Sequence, residues 1–174
     1  MDRFALQYTD EKDRSLGLAG MAVSMVVWEG KDMLAEINID AEPGQGMTFT
    51  PDFHFSGNPR MSARIVWHQM IKQYELSTAM LLGNIMCRSY IGKGHSLSSS
   101  VNSLMRAMAR DEGKEVCSLD DDEINHIYEK TFNYLERIFT HHAVLPIIDE
   151  FSTSLIKRRK LSATEAFELL EALQ

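Results

Sequence analysis

Histidine is the side chain best suited to proton transfer near neutral pH, and His142 has the most informative position among the histidines of this chain. Apolar residues recur at helical spacing from Ile124 to position 142, and this pattern predicts a helix with His142 on its buried face. A histidine in that setting can act as a base or a pH switch. Tyr128 and Asp149 are the polar residues that we expect beside it. These three residues are the catalytic candidates of the sequence.

Other motifs with possible chemistry fit structural roles better. Glu123 and His126 have the Glu-x-x-His spacing of some metal sites, but the pair lies on the polar face of the predicted helix and has no second copy. The acidic run 120–123 complements the dipole at a helix start. Gly92-Lys-Gly-His-Ser follows a helix and lacks the spacing of a phosphate loop. The sequence therefore predicts no metal and no cofactor.

A short basic run, Lys157-Arg158-Arg159-Lys160, is the one feature that favours an anionic partner. The whole chain carries a net charge of -7, which disfavours binding to nucleic acid or to an anionic membrane surface. We therefore expect this run to end a helix, where basic side chains are favourable, and expect no nucleic-acid function.

The composition is that of a globular protein. With 174 residues, 44% hydrophobic and 25% charged, the chain is expected to form a single domain, 1–174. Two cysteines are too few for a disulfide framework. The first residues lack the pattern of a signal peptide, and the longest apolar stretch is too short for a membrane span. We expect a soluble cytoplasmic protein without a membrane contact.

The amino-terminal third, residues 16–55, reads as a sheet. Alternating apolar positions predict strands in 33–41 and 47–55, and Pro51 predicts that the second is broken or lies at an edge. Leu16–Trp28 is ambiguous. Its glycines and the β-forming residues near Trp28 favour a strand in its second half, although a helix stays open. Residues 1–15 are expected to form a loose arm.

One face of these strands is aromatic. Trp28, Phe49, Phe53 and Phe55 are the residues that could line a ligand pocket between the sheet and the helices. The alternative is that they pack directly against the helices, since a sheet with one apolar face needs such a cover.

Residues 61–174 are predicted to be helical. Met61–Ile91 reads as one long helix, and its segment Leu76–Cys87 carries no charge. Ser162 and Glu165 form the pattern of a capping box before a last short helix. The fold class is therefore α+β, with a small antiparallel β-meander in the amino-terminal third packed on a bundle of four to five helices. An all-α fold is the alternative if Leu16–Trp28 is helical.

These features favour a non-catalytic protein over an enzyme. A helix segment that is apolar on every side must lie inside the core or at a subunit contact, so we expect a protein-interaction or regulatory module that self-associates into a homo-oligomer or binds a protein partner. The alternative is a small-molecule-binding protein or an enzyme that uses the aromatic pocket.

Overall fold

A computed structural model describes residues 7–53 and 62–173. It confirms the α+β class, because the described residues form a mostly helical fold with a small three-stranded antiparallel sheet. The helices are α1 (Glu11–Val27), α2 (Ala63–Met86), α3 (Ser99–Cys117), α4 (Asp121–Phe139), α5 (Val144–Arg158) and α6 (Ala163–Leu169). The strands are β1 (Leu34–Asn38), β2 (Met47–Phe49) and β3 (Lys160–Ser162). Within the described residues, no helix is long and apolar enough to cross a membrane.

The prediction of a strand in the second half of Leu16–Trp28 is wrong, because this segment belongs to helix α1. The helix also begins inside the predicted loose arm, where the Asp10 side chain accepts a hydrogen bond from the Asp13 amide and caps the first turn. Gly20 lowers the intrinsic helix propensity, but it allows a close contact with α2 that a larger residue would prevent. Tertiary packing therefore outweighs local propensity here.

Strand β1 lies at the centre of the sheet, in the order β2-β1-β3. The two predicted strands are present, and Ile37 of β1 pairs with Met47 of β2. Strand β2 ends at Phe49, and a 3-10 turn starts at Pro51. On the other side, Ile37 pairs with Leu161 of β3, so the third strand comes from the carboxy-terminal part of the chain and not from residues 16–28.

Helices α1 and α2 cross at two glycines. A Cβ atom added to Gly20 would lie 2.6 Å from the carbonyl carbon of Gly83 and closer still to its oxygen. The Ser24 hydroxyl, one turn along α1, donates hydrogen bonds to the carbonyls of Gly20 at 3.0 Å and of Ala79 at 2.8 Å. Only glycine allows the two backbones to approach this closely.

The predicted long helix is confirmed from Ala63 onward, and a π-helical turn, Cys87–Gly92, continues it. Its apolar segment Leu76–Cys87 is buried within this chain, apart from the half-buried Ser77 and Leu81. The segment therefore lies in the core and needs no second subunit to cover it.

Candidate functional site

His142 does not lie on a buried helix face, and this part of the prediction is wrong. Helix α4 ends at Phe139, and His142 is exposed in the turn that leads to α5. Its ring stacks on that of His141, with the ring centroids 4.8 Å apart. The apolar stripe of α4 stops at Phe139, and the next buried residue is Val144 of α5.

Tyr128 and Asp149 are bound to other neighbours. Tyr128 is buried in α4, and its hydroxyl donates to Asn102, whose backbone oxygen is at 3.2 Å and side-chain oxygen at 2.6 Å. Burial raises the pKa of its hydroxyl well above the usual range. Asp149 is exposed and pairs with Lys12 at 3.0 Å. The printed polar contacts of the three catalytic candidates thus do not link them to one another.

The aromatic residues proposed for a pocket contact one another or the helices. Phe49 and Phe53 stack with their ring centroids 4.0 Å apart, and both pack against the main hydrophobic core. Trp28 packs on the same core and meets the ring of Tyr134 edge to face at 5.6 Å. Phe55 lies outside the described residues.

Ion pairs engage most of the basic run at the end of α5. Arg158 pairs with Glu165 at 2.9 Å, and Lys160 pairs with Glu36 at 3.3 Å. Arg159 binds two carboxylates, those of Glu11 and Asp40, and these contacts raise the pKa of its guanidinium. Only Lys157 of the four has no such partner among the described residues. The run therefore holds elements of the fold together.

Metal and thiol chemistry find little support in the side-chain positions. In residues 7–53 and 62–173, no group of three or more His, Cys, Asp or Glu side chains is placed to hold a metal ion. Cys87 and Cys117 are free and buried, and burial raises the pKa of both thiols, which disfavours the reactive thiolate.

A groove of about 1070 Å³ lies between α1 and α2, and we call it the α1–α2 groove. The segment 7–10, the loop 39–44 and Glu112 of α3 complete its walls. The apolar side chains that line it are Met21, Ile39, Met80, Leu81 and Ile85. Met21 and Leu81 are half-buried, so the groove exposes apolar surface in the middle of the two core helices.

A buried ion pair fastens the wall formed by residues 7–10. Arg88, in the π-helical turn, donates from Nε and Nη2 to the two carboxylate oxygens of Asp13 at 2.8 and 2.6 Å. The side chains are only 4% and 8% exposed. Arg88 also donates to the Gln7 carbonyl at 2.6 Å, and its guanidinium lies 4.8 Å from the ring centre of Tyr8. The groove wall therefore depends on this pair.

Further hydrogen bonds hold the same wall against both helices. Asn84 of α2 donates its side-chain amide to the Tyr8 hydroxyl at 2.7 Å, and the Thr9 amide donates to Asp13 at 2.9 Å. Burial alone would raise the pKa of the Asp13 carboxyl, but the bonds from Arg88 and Thr9 outweigh it, and the net pKa is lowered. Asp13 is therefore ionised at neutral pH.

Comparison with known proteins finds no matching family model, no matching curated protein and no matching solved structure. The case for a function thus depends on the geometry of this chain alone.

Sequence reasoning missed the α1–α2 groove because it treated Leu76–Cys87 as buried on every side. A signal was present: Ser77, Leu81 and Asn84 recur at the three- and four-residue spacing of one helix face, and two of them are polar. That face is the one that the groove leaves uncovered.

Proposed function

We propose that this protein is a non-catalytic binding protein and that the α1–α2 groove takes a small amphipathic ligand. The observation that carries the proposal is the apolar lining of the groove, in which Met21 and Leu81 stay half-buried between core helices. Its volume of about 1070 Å³ is at the upper end of the ~300–1,000 Å³ typical of ligand pockets.

The polar groups of the groove favour binding over catalysis. None of the described residues that line it is a histidine or a cysteine. Its hydroxyl and amide groups are instead engaged in the wall, as for Tyr8 and Asn84. Such groups orient a ligand, while the apolar residues supply most of the contact area.

Saturable binding of N-phenyl-1-naphthylamine, a neutral apolar fluorophore, tests this proposal. Leu81→Gln introduces a polar amide into the groove at a half-buried position, and we expect it to weaken binding about tenfold, a typical value for one apolar contact. Leu145→Gln is the matched control, because Leu145 is exposed on α5 outside the groove. Equal affinities for the two variants, or no saturable binding at all, would exclude the groove as a binding site.

Self-association is a second candidate, and it now depends on a different feature. The apolar segment of α2 is covered within the chain, but Trp67 is 45% exposed on the same face as Met70 and Ile71. A second copy that covers this face would bury the indole. We expect light scattering to report a mass above 19.8 kDa that Trp67→Gln returns to the monomer value. A monomer at every concentration would rule this candidate out.

A further inference from the structure

We propose that the ligand of the α1–α2 groove is a cationic amphiphile, with its apolar chain along Met80 and Leu81 and its ammonium group at the Glu112 carboxylate. This inference deepens the proposed function and depends on it. It uses the distribution of charge along the groove, which differs between the two ends.

The charges at the Arg14 end are balanced within the protein. Arg14 donates to the backbone carbonyl of Ala41, and its positive charge acts on Asp40, whose pKa is lowered chiefly by its hydrogen bonds from Arg159. Arg159 also pairs with Glu11. Two guanidiniums thus face two carboxylates, and this end has no charge left over for a ligand.

Asp10 is also engaged at that end. Its side chain accepts the Asp13 amide as the cap of α1, at the positive end of the helix dipole. A carboxylate in this position is stabilised by the helix itself and gains little from a further cation.

The Glu112 end has an uncompensated negative charge. Glu112 forms no ion pair with any residue in the described parts of the chain, and the Ser77 hydroxyl is its hydrogen-bond partner. The nearest cations along α3, Arg110 and Lys114, are both bound to Asp121. Burial raises the pKa of Glu112, which reflects the cost of keeping a carboxylate at an apolar groove without a partner.

An ammonium group would offset that cost. A charged donor forms a stronger hydrogen bond with a carboxylate than a neutral donor does. The net charge of -7 also draws cations toward the protein and repels anions. A hydroxyl or carboxylate head group on the same apolar chain lacks both advantages.

Three probes with the same decyl chain separate the head-group effect from the apolar effect. Decylammonium, decanol and decanoate are titrated below their micelle concentrations, with displacement of N-phenyl-1-naphthylamine as the readout at neutral pH. We expect decylammonium to bind about tenfold more tightly than decanol, a factor typical of one charge-assisted hydrogen bond, and decanoate to bind most weakly.

Glu112→Gln should remove the preference for decylammonium and leave the affinity for decanol unchanged. Glu115→Gln is the matched control, because Glu115 is exposed on the same helix, does not line the groove and changes the net charge equally. Equal affinities of the wild-type protein for the three probes would overturn the cationic ligand and leave the groove proposal standing. A preference that survives in Glu112→Gln would do the same.

Two other results would overturn the inference together with the proposed function. One is the absence of binding by all three probes to the full-length protein. The other is binding that occurs only after deletion of residues 1–6, since the occupant of the groove would then be the chain's own amino-terminal segment, which continues from the groove wall at Gln7.

Discussion

Replacing Asp13 with asparagine should destabilise the protein strongly, and replacing Arg88 as well should restore much of the loss. Asp13→Asn keeps the shape of the side chain and an oxygen for the Thr9 amide, but it leaves the buried Arg88 charge without its carboxylate. Arg88→Met, made in the same background, removes that charge and keeps an apolar stem of similar length.

The expected size follows from the burial of both partners. Removal of one partner of a buried ion pair typically costs ~3–5 kcal/mol, whereas its replacement by neutral residues is often close to neutral. With a urea slope of ~1–3 kcal/mol/M, the single variant should lower the unfolding midpoint by about 2 M. Lys12→Met is the control, because the Lys12–Asp149 pair is exposed and such pairs contribute ~0–1 kcal/mol.

The same pair predicts a pH dependence. The pKa of Asp13 is lowered in the folded protein relative to ~3.9 in the unfolded chain, so its contribution is complete above that value and is lost as the pH falls through the folded pKa. The stability difference between the wild type and Asp13→Asn should therefore be constant at neutral pH and shrink in acid.

Urea unfolding followed by circular dichroism measures all of these variants. If Asp13→Asn costs no more than Lys12→Met, or if the double variant is less stable than Asp13→Asn alone, the buried charge is not the source of the effect and the reasoning fails. The double variant should also bind N-phenyl-1-naphthylamine weakly, because it loses the bond from Arg88 to the Gln7 carbonyl that fastens the groove wall.

Two further substitutions test the helix crossing and the core. Gly20→Ala should lower the free energy of unfolding despite a gain of ~1 kcal/mol in helix propensity, since a close crossing at Gly83 makes overpacking cost ~1–3 kcal/mol or more; unchanged or higher stability in urea would contradict that crossing. Leu82→Asp should prevent folding because it buries an unpaired charge, whereas Leu81→Asp, at the half-buried neighbour, should still give a folded circular dichroism spectrum; two equally unfolded variants would contradict the open groove face.

Local patterns in the chain were enough to predict several elements. The capping box of Ser162 and Glu165 is present at the start of α6, since both hydrogen bonds join residues three apart in sequence. Strand β1 and the long helix α2 follow from alternation and from helical spacing, which a single segment carries by itself. The α+β class was predictable for the same reason.

The placement of His142 was not predictable from spacing. The apolar pattern of α4 continues in register past the end of the helix, but the chain turns after Phe139 and exposes the imidazole. Strand β3 was missed as well, because Leu161 becomes a strand residue only through its pairing with Ile37, far away in the sequence.

The sequence by itself determined the helical majority, the two strands of the amino-terminal third and the apolar centre of α2, because these depend on neighbours a few residues apart. Only the tertiary structure decided that α1 is a helix, that Arg88 meets Asp13, and that one face of α2 is left open beside Glu112. Each of these results from contact between distant segments: the close approach at Gly20 and Gly83, the burial of two charges together, and an incomplete cover of apolar surface.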